Sequence, residues 1–442
     1  MEEKKEKLNW KIILPFGFML AGWSMLWAVY NNFVPVYLQA GNPVFDAAGS
    51  AATFGFGLTA FAAGLIMSID NALGLVSGPI VGRWSDKIGK RMVFIKIATP
   101  TSIVAFMLIP FIIKLVSPEN NGLLPKLMLP FGILSLCILA VVFGSAFSTV
   151  PTYALRYQLI PSKIRSQATG YIELIGAMGS ILAYGLSGLL YGIANFMPFL
   201  VFGVLFLSAA FFFFRVVKEP KDWVPVTEAS IESRGLKGIF NVFKGFTSKQ
   251  KLNVWLVLII GFLFNFAIAP IQTFGSSYVV NVLHLSEGTA ASMGAIFFVG
   301  YLLGTVPMGY LPKWLKRRGT LRLGGLIGIA AATVLLFVQN FTLLQVMVGI
   351  MGFGFAVPQI ILYPMMSDIV PDEKSFGSLI GLQIFSFMLA TTFSVPFWGK
   401  MIDIFKNYNM VWIAVIIPLV IMLLVSFAVS LGEAKTDEKA SK

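Results

Sequence analysis

Twelve long apolar stretches, joined by polar connections, constrain this chain more than any other feature. They run over 10–38, 58–84, 91–115, 127–155, 165–192, 196–216, 252–281, 287–313, 320–338, 342–368, 375–400 and 408–431. Each is apolar throughout rather than in alternation, so it satisfies its backbone as a helix and not as a barrel strand. At 1.5 Å per residue, such helices cross a hydrocarbon core about 30 Å thick. With 442 residues, 57% hydrophobic and 12% charged, and a mean hydropathy of +0.83, the chain is too apolar for a soluble protein. An integral, multi-pass protein of the plasma or inner membrane is expected.

The net charge of +13 does not mark a nucleic-acid binder, because the basic residues fall between apolar runs instead of on one soluble face. Placing the N-terminus in the cytoplasm puts every Lys and Arg on the inner side except Lys114, Lys126, Lys400 and Lys406. An odd number of missed spans would scramble that separation, so twelve spans with both termini inside are expected. The charged start, 1–9, reads as a cytoplasmic tail leading into a retained first span, and 432–442 as a second tail. The single cysteine, Cys137, excludes an intrachain disulfide.

The polar connection 217–251 divides the spans into 10–216 and 252–431. Its portion 235–244 reads either as an amphipathic segment along the inner leaflet or as a solvated linker. A loose repeat crosses this division. Gly144-Ser-Ala-Phe-Ser-Thr-Val-Pro151, with Pro161 and Gly170 following, returns as Gly354-Phe-Ala-Val-Pro358, with Pro371 and Gly377 following. Both copies close one span, the fourth and the tenth, and open the next. Marks six helices apart predict two pseudo-symmetric six-helix bundles about a central path.

After the second span comes Gly82-Arg-Trp-Ser-Asp86-Lys-Ile-Gly89-Lys90-Arg91, which closely resembles the loop signature of the major facilitator superfamily. The resemblance implies an all-α membrane transporter in which Gly82 and Gly89 let helices approach and turn. Asp86, with Lys90, Arg91 and Arg165, would form an ionic latch at the inner face, made in one state and broken in the other. The alternative is that the basic residues anchor the loop to headgroups. In the second half Lys313 stands at the Asp position, so the mirror latch is absent or reversed.

A narrower resemblance rests on Trp23-Ser-x-x-Trp27-x-x-Tyr30-Asn31 in span one, Ile69-Asp70-Asn71 in span two, Pro161-Ser-x-x-Arg165 after span four, and Gln272-Thr-Phe with Leu285-Ser-Glu-Gly288 around span seven. These are similar to the glycoside-pentoside-hexuronide:cation symporter and sucrose-transporter-like branch. That similarity implies carriage of a sugar or glycoside with a cation.

Asp70 is predicted near the bilayer centre, where a carboxylate costs roughly 2.5–3.5 kcal/mol on insertion scales. It is either the coupling site for H+ or Na+, with Asn71 beside it, or a structural acid bonded to Asn71 or another helix. Glu173 is a second coupling candidate, with pairing to Arg156 or Arg165 as the alternative. Asp368 reads as an interfacial anchor or gate.

Substrate contacts are expected from Trp23, Trp27, Tyr30 and Asn31 on one side of span one, from Asn265, Gln272 and Ser276 on span seven, and from Gln359 and Tyr363 on span ten. Aromatic faces stack on rings and amides bond hydroxyls, though ordinary helix packing accounts for such residues equally well. His284 reads as a surface residue of an outer loop.

No Gly-x-x-x-x-Gly-Lys-(Ser/Thr) occurs, so ATP hydrolysis is not expected. One His and one Cys do not build the usual metal or nucleophile sites, so neither enzyme chemistry nor a cofactor is expected. The expected protein is a monomeric secondary carrier of a small molecule in the lipid bilayer. Two alternatives stand beside sugar symport: a proton-coupled exporter of an amphipathic small molecule, and a non-transporting sensor or scaffold on a carrier fold.

Overall fold

The computed structural model describes residues 8–46, 54–88, 90–161, 164–219, 243, 245–369 and 373–430. Among them the regular structure is helical, with no strand. The long helices are α1 (Trp10–Gln39), α2 (Ala60–Ile88), α3 (Arg91–Ile113), α4 (Met128–Leu159), α5 (Arg165–Ile193) and α6 (Met197–Val216). After the linker come α7 (Ser248–Leu283), α8 (Glu287–Tyr310), α9 (Pro312–Phe337), α10 (Phe341–Phe355, resuming as Val357–Ile369), α11 (Glu373–Phe405) and α12 (Met410–Ala428). Among the described residues eleven of these are long and apolar enough to span a membrane; in α2 the apolar stretch, Ala60–Leu75, is shorter. Large apolar side chains such as Leu129, Ile193, Phe337 and Phe427 stand exposed on the helices, the ordinary state of a surface that meets lipid.

Three boundaries differ from expectation for local reasons. First, α7 starts at Ser248, inside the segment assigned to the linker, because Thr247 and Gln250 form a reciprocal cap. Thr247 Oγ1 accepts from the Gln250 amide at 3.2 Å, and Gln250 Oε1 accepts from the Thr247 amide at 2.9 Å. Second, α9 begins at Pro312 rather than 320, with a kink at Lys316, whose φ is 58°. Its first turns carry Lys313, Lys316, Arg317 and Arg318, so apolarity alone does not register them as helix. Third, α10 is interrupted at Ala356, just before Pro358.

The chain divides into two compact units. The first holds Met1–Thr227 with Gln272–Ala295 and Gly399–Tyr408. The second holds Glu228–Ile271, Ile296–Trp398 and Asn409–Lys442.

In the first unit α1 packs on α5 and α6, α2 packs on α4, and α3 packs on α4 and α6. Phe33, Tyr37, Tyr191, Phe199 and Phe106 stack into one aromatic core between them. In the second unit α9 packs on α10 and α12, the same neighbours six helices on from those of α3. The repeated glycines occupy matching places. A Cβ on Gly144 would meet Ala98 O of α3 at 2.8 Å, and one on Gly354 would meet Gly324 O of α9 at 2.9 Å. Each lets a helix of its own unit approach the preceding one at backbone distance.

Candidate functional site

The ends of α1, α7 and α11 meet in the first unit, on the side opposite the basic loops, and a single buried amide joins them. Gln39, at the last position of α1, is fully buried. Its Nε2 donates to Ser277 Oγ of α7 at 3.0 Å and to Pro35 O of α1 at 2.8 Å, and its Oε1 accepts from the Tyr408 hydroxyl at 2.5 Å. Nearby, Asn281 of α7 donates to the Phe45 carbonyl of the first outer loop, and Asn32 donates to Ala291 O of α8 at 3.4 Å. Gly188 and Gly288 bring α5 and α8 so close that a Cβ on Gly188 would stand 2.3 Å from Gly288 O.

A carboxylate completes this outer seam. Asp403 near the end of α11 accepts from the amides of Ala60 and Phe61, both at 2.9 Å, capping the first turn of α2. Tyr408 lies between the spans and is 2% exposed. Burial first, then the neighbouring carboxylates Asp403 and Asp46, push its phenol well above the ordinary tyrosine range, so it stays a donor.

On the inner side each unit has its own ionic contacts. In the first, Arg156 of α4 pairs with Glu173 of α5 at 3.2 Å, and the Arg91 amide at the start of α3 donates to Glu219 at 2.5 Å. In the second, Arg317 of α9 pairs with Asp368 of α10. Asp368, read from the sequence as an interfacial anchor or gate, thus stands at the end of α10 in an ion pair with α9.

The expected site residues divide by location. Trp23 is buried against Phe206 at a ring distance of 5.0 Å and belongs to the packing of α1 on α6. Trp27 and Tyr30 form an edge-on pair at 5.3 Å, with Trp27 and Asn31 half-buried. Gln272 is exposed, while Ser276 is buried with its hydroxyl unpartnered. Asn71 is half-buried on α2. Glu173 has half its side chain exposed and is held by Arg156, the alternative weighed for it. Lys90 is exposed and Arg91 buried. The side chains of Asp70, Asp86, Arg165 and Gln359, the surroundings of Gly82, and all of Gly89 lie outside the described residues. His284 is exposed, with a left-handed φ of 55°.

In the second unit Asn265 donates to Gly261 O at 3.0 Å, and Tyr363 meets Phe387 edge-on at 6.5 Å. Between these groups lies a residue that sequence reasoning missed. Gln383 of α11 is fully buried and neither amide atom has a hydrogen-bond partner. A Cβ on Gly261 would stand 2.1 Å from its Nε2, so this glycine makes the space the amide occupies. An unsatisfied buried amide costs about 1–3 kcal/mol, which suits a position awaiting a polar group. Gln39, Tyr408 and Asp403 were missed as well, and Glu287 entered only within Leu285-Ser-Glu-Gly288, with no role of its own. A glutamine closing an apolar span was the available signal for Gln39; the others stand at or just beyond the ends of spans, where burial is tertiary. Among the described residues, no group of three or more His, Cys, Asp or Glu comes together as a metal site.

A family model described as Major Facilitator Superfamily matches residues 13–378. Multidrug resistance protein 1 of Bacillus subtilis (strain 168) is 21% identical over 359 residues, which are 80% of this chain and 84% of that protein. Among solved structures, a bacterial homolog to the human lysosomal transporter Spinster, in an inward-facing and unoccupied conformation, has a TM-score of 0.71. It is 16% identical, with 96% of this chain and 98% of that one covered. A mutant of the nucleoside transporter NupG has a TM-score of 0.69 at 13% identity, with 95% and 100% covered. These matches carry the fold and not the narrower glycoside branch.

Proposed function

The chain belongs to the Major Facilitator Superfamily, and on that premise we propose that it exports an amphipathic organic solute in exchange for protons. It is a multi-pass membrane transporter that works by alternating access, and not an enzyme. The observation that carries the proposal is the seam at Gln39. Three helix ends are joined there by hydrogen bonds around one buried amide, a small set of polar contacts of the kind that opens and recloses in a cycle. The solute class draws on the multidrug resistance relative and on the half-buried Trp27, which packs edge-on against the buried Tyr30 and offers an apolar ring on the same helix as the half-buried Asn31 amide. Asp70 on α2 is the proposed coupling acid, and the residues 82–91 with Arg165 the proposed inner latch.

A second reading is symport of a sugar or glycoside, favoured by the same aromatic pair with Asn31 and by the unsatisfied Gln383 amide. Purified protein in vesicles under an imposed proton gradient separates the two. Gradient-driven movement of a fluorescent amphipathic dye, with none of a labelled disaccharide, is the expected result. Disaccharide uptake with protons establishes the second reading, and movement of neither contradicts both.

A further inference from the structure

At the junction of α1, α5 and α8 lies a carboxyl group that neither reading uses. Glu287 is the first residue of α8, and it is 8% exposed. Its Oε1 has no hydrogen-bond partner, and it makes no ion pair among the described residues. The titratable groups facing it are phenols: Tyr37 from α1 and Tyr191 from α5, which bond to each other. The nearest titratable residue on the chain before it, His284, is exposed in the preceding loop. The acid has no room to withdraw toward α5, because Gly188 and Gly288 already bring α5 and α8 to backbone contact.

We propose that Glu287 is a proton-binding group of the outer seam, neutral while the seam is shut and ionised when it parts. An ionised carboxylate with a bare oxygen, held among phenols and aromatic rings, is strongly disfavoured unless paired. The shut seam therefore takes the acid with its proton on. When α8 moves from α1 and α5, water reaches Oε1, the proton leaves to it, and the carboxylate at the start of α8 gains the favourable end of the helix dipole. Proton release and seam opening become one equilibrium, so low outer pH favours the shut state. This inference rests on the reading of the seam as a moving gate.

The test places a cysteine in the seam, Ala290→Cys, in a Cys137→Ser background within right-side-out vesicles. Labelling by a membrane-impermeant maleimide is followed from pH 5 to 9, after correction for intrinsic thiol reactivity on a peptide. The expected corrected rate rises with pH by up to about tenfold per unit, the limit for one linked proton. Glu287→Gln, which copies the neutral acid, is expected to flatten the profile at its low-pH level, and Glu287→Asp to keep a profile with a displaced midpoint. A Glu287→Gln profile that follows the parent overturns the proposal, as does a parent profile with no slope. If Glu287→Gln fails to assemble, an Asp variant with an unmoved midpoint overturns it equally. A cysteine that stays unlabelled at every pH overturns the gate itself, an outcome distinct from labelling without pH dependence.

Discussion

The hydroxyl of Tyr408 donates to Gln39 Oε1 at 2.5 Å, and neither residue is more than 2% exposed. A residue beyond the end of α11 thereby fixes the end of α1, with Ser277 of α7 on the other side of the same amide. Gln39→Ala strands both partners in the seam. A buried group left unsatisfied costs about 1–3 kcal/mol, so the open fraction is expected to rise roughly 5- to 150-fold. Labelling of the Ala290→Cys reporter measures it, and an unchanged rate contradicts the assignment.

The phenol of Tyr408 gives a pH expectation of its own. Its folded-state pKa is raised, chiefly by burial, so its contribution is complete below the unfolded value near 10 and is lost as pH rises through the higher folded value. Between pH 5 and 9 it does not titrate. Tyr408→Phe is therefore expected to raise seam labelling by one factor at every pH in that window, leaving the slope unchanged; a changed slope contradicts this.

Asp403 caps α2 through two amides. Asp403→Ala is expected to lose about 0.5–2 kcal/mol, the usual range for a lost N-terminal cap, and Asp403→Asn less, since the amide oxygen still accepts. Thermal unfolding in detergent orders the variants, with the alanine form lowest. Equal midpoints for Ala and parent contradict the cap's role.

Asp70 is proposed to couple the solute to protons, which separates two transport modes. Asp70→Asn is expected to keep solute exchange at equal pH on both sides while losing accumulation driven by a proton gradient. A drive of 100 mV on one charge is worth about 2.3 kcal/mol, roughly fifty-fold in solute ratio. Accumulation that survives Asp70→Asn places coupling elsewhere.

The spans were legible in the sequence because a bilayer admits only long apolar helices, and the charge asymmetry then fixed their number. The Gly144 and Gly354 repeat was legible because close helix approach leaves a residue type behind. Helix starts built from polar turns, such as Ser248 with its Thr247–Gln250 cap and Pro312 with its basic first turns, were hidden from apolarity. The site was less legible still. Trp23 read as a ligand face and packs on Phe206, whereas Glu287 read only as part of a family motif and Gln383 as ordinary text, and both are buried with bare polar atoms. Both differences arise from which neighbour a side chain meets across the fold, and periodicity along one helix carries no record of that.

The outer seam is proposed to act as a gate. Spin labels at Pro43→Cys and His284→Cys in the Cys137→Ser background, both exposed and both in the first unit, report it directly by pulsed electron resonance distances. Two distance populations are expected, a short one for the joined seam and a longer one that gains weight as pH rises and in Gln39→Ala. A single short distance under every condition, in protein that still moves solute, contradicts the account.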